Sequence, residues 1–289
     1  MRQSLELRRE LGDLRSTSLS LNNLGLVYQD SGRFAEALLV YREALHIREQ
    51  IGDRPGIAQT LNNLGTIHQD SGDHPRATEV WTQALEHART VGDRMRQAVI
   101  LTNLGESAYR QQEPDRAIEV LHEAEALSST LGDRILEAEI LRGLAKAHML
   151  RHDLPQASEF IGRSITLFER ARSRPFLAVA VRTAAEIRAA SGRHARADVE
   201  ARAMFERAKG MFEELGNQME IARTCDAFAS FLEADPDSIG EAGRGEEARA
   251  LRQQARDIVS GMGVPTPVRG TRDPLGVEPT SPGPPSFEN

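Results

Sequence analysis

Few residues in this chain have types and spacings that could do chemistry. His148-x3-His152 has the spacing that sets two imidazoles on one helix face, as a metal site would need. The residues between are Met149, Leu150 and Arg151, so the glutamate that acts as general base on a zinc-protease helix is missing. Gly240-x2-Gly243-x-Gly245 has glycines near phosphate-cradle spacing, but it follows a helical pattern rather than a strand. Cys225 falls at a core-facing helix position with no matched histidine and reads as a buried structural thiol. Pro279-x2-Pro282 and Pro282-x2-Pro285 have the spacing that proline-binding modules recognise, in a proline-rich stretch where such matches arise freely. None of these combines nucleophile, base and stabiliser. The expectation is a protein that is not an enzyme, with no catalytic residue, metal or cofactor.

Side chains that bind rather than react form a clearer pattern. Leu21-Asn22-Asn23-Leu24-Gly25 returns as Leu61-Asn62-Asn63-Leu64-Gly65 and as Leu101-Thr102-Asn103-Leu104-Gly105. Asn and Gly are weak helix formers, Gly by roughly 1 kcal/mol against Ala, so their recurrence inside a helical pattern needs a reason. Further on, the same positions become Arg142/Gly143 and Arg182/Thr183. Three residues after the second of each pair stand Leu26, Thr66, Glu106, Lys146 and Glu186. Neutral amides thus give way to Arg142, Lys146, Arg151 and Arg182. Amides both donate and accept hydrogen bonds, and guanidinium groups favour carboxylates, best in bidentate pairs.

The elements that position these residues are helices, punctuated at fixed intervals. Leu11-Gly-Asp, Ile51-Gly-Asp, Val91-Gly-Asp and Leu131-Gly-Asp begin 40 residues apart. In each, Gly supplies the left-handed residue that ends one helix and Asp caps the next, its charge suiting the positive end of the new helix dipole. A second break falls about halfway, at Ser31-Gly32, Ser71-Gly72, Gln112-Glu113, His152-Asp153 and Ser191-Gly192. Pro55, Pro75, Pro114, Pro155 and Pro175 all fall in the first turn of an expected helix, where the missing N–H is harmless. Each repeat is therefore a helix, a tight turn and a second helix.

Within repeats, Leu21-x2-Leu24-Gly25-x2-Tyr28 precedes Ala37-x3-Tyr41-x2-Ala44, and Leu61-x2-Leu64-Gly65-x2-His68 precedes Ala77-x3-Trp81-x2-Ala84. The third repeat pairs Leu101, Leu104, Gly105 and Ala108 with Ala117, Leu121 and Ala124. The fourth pairs Leu141, Leu144, Ala145 and His148 with Ala157, Ile161 and Ser164. His148 thereby occupies a large-residue packing position, and His152 a turn. This pattern resembles the tetratricopeptide repeat. With a period of 40 rather than 34, it is similar to the long-repeat subclass of kinesin light chain, the LGN/Pins polarity adaptors, and bacterial signal-transduction ATPases and SARP-type regulators. The consensus proline that closes the second helix is absent, Glu49 standing there. HEAT and armadillo repeats share a period near 40 but lack the signature.

The resemblance implies an all-α, right-handed superhelical solenoid of antiparallel helix pairs. Residues 1–12 form the orphan second helix of an incomplete repeat, and an array occupies 13–260 with repeats near 13–52, 53–92, 93–132, 133–172, 173–216 and 217–260. The fifth repeat carries about four extra residues in its second helix, close to one turn, and the sixth a longer loop at 235–245. From residue 261 onward, seven of the thirteen prolines and no apolar periodicity indicate a disordered tail.

In such arrays the face opposite the packing leucines lines a concave groove, which here carries Asn22, Asn23, Asn62, Asn63, Asn103, Arg142, Lys146 and Arg182. The resemblance carries peptide contact to Asn23, Asn63 and Asn103. The expected function is a protein-interaction module that holds a peptide or partner segment in this groove, the asparagines on its backbone and the cations on acidic side chains or a terminus. Another reading stays open: the asparagines bond to adjacent repeats, and the arginines pair with Glu139 and Glu186.

Composition restricts the partners. A net charge of −7 argues against general affinity for nucleic acid or anionic membranes. No run is long and apolar enough for a membrane span, and no leader-like segment opens the chain. One cysteine forms no internal disulfide, so a cytoplasmic location is expected. Expected partners are proteins or peptides, and the uncapped N-terminal helix makes self-association a further possibility. Two alternatives concern context: the sensor portion of a larger SARP- or STAND-type transcriptional regulator, which the start in mid-repeat motivates, or a Rap-like phosphatase-type modulator.

Overall fold

The computed structural model describes residues 2–192, 195–234 and 242–261. The described residues form α-helices joined by tight turns, with no strand among them. After α1 (Arg2–Glu10), the helices run as pairs: α2 (Leu14–Asp30) with α3 (Phe34–Gln50), α4 (Arg54–Asp70) with α5 (His74–Thr90), and α6 (Arg94–Arg110) with α7 (Pro114–Ser128). Then come α8 (Arg134–Leu150) with α9 (Leu154–Arg170), α10 (Arg174–Ala190) with α11 (Ala195–Leu215), and α12 (Gln218–Glu233) with α13 (Ala242–Gly261). Helix α11 has 21 residues where most others have 17, so the insertion adds about one turn and keeps the apolar face in phase. Helix α13 starts at Ala242, which places Gly243 and Gly245 in its first turns rather than in a loop. Residues 262–289, where the proline-rich tail is expected, lie outside the described residues, as does Gly240.

Local chemistry sets the helix ends. The carboxylates of Asp13, Asp53, Asp73, Asp93, Asp133 and Asp153 each accept a backbone N–H from the first turn of the following helix. The turn residues before them are left-handed: Gly12, Gly52, Gly92 and Gly132 do this without strain, whereas Gln112, His152 and Arg172 adopt positive φ with a side chain.

The helices of a pair pack most extensively on each other, and every second helix packs on the first helix of the next pair. In addition, the first helices of neighbouring repeats touch directly: α2 with α4, α4 with α6, α6 with α8, α8 with α10, and α10 with α12. The first helices therefore form the tight inner row of a solenoid, and the second helices its outer row. The core is a strip of apolar side chains from Leu5 to Ile187, with a second cluster beyond it around Phe205, Phe212, Phe228 and Cys225.

Gly25, Gly65 and Gly105 have a specific steric role in this strip. A Cβ at residue 65 would lie 2.5–2.7 Å from the indole of Trp81, and one at residue 25 would lie 2.5–2.8 Å from the ring of Tyr41. At residue 105 the obstructing group is the side chain of Leu121. Each glycine thus makes room for the large residue of the second helix of its own repeat. Among the described residues the outer face of α1 has no such neighbour. Leu7 is 56 % exposed, while Ile47, at the same place one repeat later, is 8 % exposed.

Candidate functional site

The asparagines lie on the inner row, where first helices meet. Asn63 Nδ2 donates to Asn22 Oδ1 (3.2 Å), and Asn103 Nδ2 donates to Asn62 Oδ1 (3.0 Å). Each link joins the second asparagine of one repeat to the first of the preceding repeat. Asn22 is fully buried, Asn62, Asn63 and Asn103 are half-buried, and Asn23 is exposed. The backbone carbonyl of Asn62 also accepts the indole N–H of Trp81 at 3.0 Å. Four of the five asparagines are therefore tied between helices. Asn23 points outward, and the Oδ1 atoms of Asn63 and Asn103 keep acceptor capacity.

Farther along the groove, Arg142, Lys146 and Arg182 come together. With Glu106, Arg110, Glu139, Phe176, Val179, Glu220 and Arg223 they line a pocket of about 450 Å³ built from α6, α8, α10 and α12. None of the three expected cations is free. Lys146 Nζ donates to both carboxylate oxygens of Glu106 (2.9 and 2.8 Å) and lies 4.2 Å from the ring centroid of Tyr109. Arg142 is paired bidentately with Glu139 (3.3 and 2.9 Å), as one of the two open readings holds. Arg182 pairs with Glu220 (2.7 Å) and donates to Thr224 Oγ1 (3.1 Å), not to Glu186. Arg151 lies apart from them, near Asp115 and Asp153.

Five cations against three carboxylates still leave a positive surplus in this pocket of an acidic protein. The surplus sits at its rim, where Arg110 is paired with Glu106 (3.1 Å) and Arg223 with Glu220 (2.5 Å), both guanidinium groups largely exposed. Burial opposes the charge of Glu106, yet Lys146, Arg142 and Arg110 outweigh it and hold that carboxyl below the usual range. The reverse holds for Glu186, which burial pushes up despite Arg182, Lys146 and Arg142 nearby.

Residues that sequence spacing did not single out complete the pocket. Phe176, 40 % exposed, stacks on Phe168 (5.7 Å between centroids) and forms an apolar wall with Val179. Arg110 and Arg223 belong to helical i,i+4 and i,i+3 pairs, which read in sequence as ordinary solvated charge. The histidine pair separates: His148 is buried, bonded through Nδ1 to Asp153 Oδ2 (3.2 Å) and packed on Phe160, while His152 holds the turn at φ 62°. Cys225 is buried in the second core cluster, and burial pushes its thiol up.

Comparison with known proteins accords with this architecture. A family model described as tetratricopeptide repeat matches residues 1–50 and 56–130. No curated protein matches the sequence. The fold is similar to BtubC (BKLC) from P. vanneervenii, with 18 % identity, 85 % of this chain and 96 % of that one covered, and a TM-score of 0.58. It is similar to the Rap conjugation gene regulator of plasmid pLS20, solved in complex with the Phr* peptide, at 12 % identity, 87 % and 76 % coverage, and a TM-score of 0.64. A third similarity is to a signal transduction ATPase with numerous domains and a tetratricopeptide repeat sensor from Pyrococcus horikoshii (14 % identity, TM-score 0.61). There 85 % of this chain covers only 38 % of the other. The repeat signature of the matched residues, the paired helices and the solenoid packing agree on a tetratricopeptide-repeat-like architecture.

Proposed function

We propose that this array is a protein-interaction module whose concave row holds a segment of a partner, with a carboxylate of that segment seated in the pocket between α6 and α12. The observation that carries this reading is the rim of that pocket, where Arg110 and Arg223 add positive charge beyond what the pocket's own carboxylates balance. Arg142, Lys146 and Arg182 set the field from beneath. The exposed Asn23 and the remaining acceptors of Asn63 and Asn103 continue the polar row toward the N-terminal repeats, where Asn22 and Asn62 hold the helices in register. Phe176 and Val179 suit an apolar residue beside the acid. The similarity to a Rap regulator solved with a peptide supports a peptide guest.

The test is selection of peptides from a random displayed library on the wild-type protein, on R110A/R223A and on N23A/N63A/N103A, with melting temperatures measured in parallel. The expected wild-type pool is enriched in Asp and Glu, and R110A/R223A loses that enrichment while staying folded. A pool without acidic enrichment, or one unchanged in both variants, overturns the reading.

A second reading concerns context. Similarity to the repeat sensor of a STAND protein supports an array that acts as the sensing portion of a larger regulator, and in-frame coding sequence for a nucleotide-binding region beside this one tests it. The uncovered face of α1 around Leu7 and Leu11 offers self-association, read by sedimentation of wild type against L7E.

A further inference from the structure

A second pocket, away from the groove cations, lies where α2, α4 and α6 begin. Its volume is about 240 Å³, and it is lined by Arg15, Ser18, Arg48, Asp53, Gln59 and Arg96, with Leu19, Pro55 and Gly56 completing the wall. That is below the range typical of drug-sized ligands, roughly 300–1,000 Å³, but it exceeds several water molecules at roughly 30 Å³ each. A compact ligand suits it.

Its charges are unusual. Arg48 is only 3 % exposed, and no carboxylate among the described residues lies at ion-pair distance from it. Its Nη1 donates to Gly56 O and Thr60 Oγ1, both at 2.6 Å, and its Nη2 donates to Gln59 Oε1 at 3.3 Å. A guanidinium has five N–H groups, so two stay unused, and one of them, on Nε, is buried without a partner. A buried charge left without a counter-charge is expensive. Burial indeed pulls Arg48 below its ordinary value, with the nearby Asp53 carboxylate pulling back.

The other two guanidinium groups are similarly available. Arg15 is exposed, and its side chain has no hydrogen bond or ion pair among the described residues. Arg96 uses Nε on Asp93 (3.1 Å) and keeps its terminal nitrogens. Asp53 is engaged in capping α4 through Gly56 N (3.2 Å), and it offsets one of three positive charges. The equivalent arginine one repeat earlier, Arg8, also bonds a first-turn carbonyl (Ser16 O, 3.2 Å) and a hydroxyl (Ser20) of the following helix. Holding the next helix is thus the shared task of Arg8 and Arg48, and the convergence of Arg15 and Arg96 is particular to the second site.

We infer that Arg15, Arg48 and Arg96 form a binding site for a tetrahedral oxyanion, a phosphoryl group. The group enters between Arg15 and Arg96 and takes the free N–H on Nη2 of Arg48. It is either free inorganic phosphate or a phosphoryl group carried on a peptide.

The full chain is titrated by calorimetry with sodium phosphate, ionic strength held constant with sodium chloride. A phosphoserine peptide in a glycine-serine context and its unphosphorylated twin are titrated alongside. Saturable binding of phosphate or phosphopeptide, absent for chloride and the twin, is expected. The tighter of the two names the source of the group. Because the Arg15 side chain is exposed and makes no hydrogen bond or ion pair among the described residues, R15E keeps the fold, as circular dichroism will verify, and weakens binding roughly tenfold or more, the worth of one charge-assisted hydrogen bond. R15K restores part of the affinity. Absence of saturable binding in both arms, or R15E binding as tightly as wild type, overturns the assignment.

Discussion

The indole of Trp81 occupies the space that a side chain on residue 65 would need, with ring atoms 2.5–2.7 Å from where a Cβ would stand. Trp81 is buried and anchored through Nε1 on the carbonyl of Asn62, so it has no easy retreat. G65A should therefore destabilise by about 2 kcal/mol through overpacking, although Ala is the better helix former by about 1 kcal/mol. In a W81A background the obstruction is gone and the sign should reverse. Urea denaturation of the four proteins in this cycle reads both effects.

The amide links between helices should appear as coupling energy. N22A and N63A made separately each leave a partner amide unpaired, and made together they should cost less than their sum by about 1 kcal/mol. The link from Asn103 to Asn62 should behave alike, whereas N23A, at an exposed site, should change stability by less than about 0.5 kcal/mol. A cycle with no coupling would show the links to be energetically idle.

Lys146 and Glu106 form an enclosed ion pair of the groove, with side-chain exposures of 13 % and 21 %. K146M leaves Glu106 with the rim guanidinium of Arg110 and the field of Arg142, which is itself paired with Glu139, and should cost about 3 kcal/mol. The double change K146M/E106Q should recover most of this. Thermal unfolding of both variants distinguishes a lost pair from a general intolerance of change.

Glu186 predicts a pH signature. Its folded carboxyl is raised by burial, so the native state holds its proton more tightly than the unfolded chain does. Below the ordinary carboxyl range both states are protonated and no penalty exists. As pH rises from about 4.5 through the raised value, the charged form is increasingly disfavoured in the fold and stability falls. E186Q should thus unfold at a higher temperature than wild type at pH 7.5, with the gap closing toward pH 4. A gap independent of pH would show that shape rather than charge is responsible.

Arg172 closes helix α9 at φ 53°, a left-handed conformation in which its Cβ is strained. R172G should stabilise by about 1 kcal/mol. The same change at the existing turn glycines is impossible, and G52A should instead cost a comparable amount. Chemical denaturation resolves shifts of this size.

Much of this molecule was legible in the order of its residues. Helix ends are local: an Asp cap, a left-handed Gly and a first-turn Pro act within one turn, so the punctuation between Gly12 and Asp153 could be read without knowing the fold. The inward face is local too, because side chains three and four apart share one side of a helix. That places Leu61, Leu64 and Gly65 together and sets Asn62 and Asn63 apart from them. What tertiary structure decided is the choice of partner across repeats. The repeat of 40 residues suggests that like meets like, but packed helices are offset, and the amide links join residues 41 apart, Asn22 with Asn63 and Asn62 with Asn103. Arg182 goes to Glu220 on α12, 38 residues on, rather than to Glu186 on its own helix, whereas Lys146 and Glu106, 40 apart, pair in register. Charge and periodicity along one helix carry no information on that displacement, which emerges only when large residues such as Trp81 and Tyr41 wedge neighbouring helices into register.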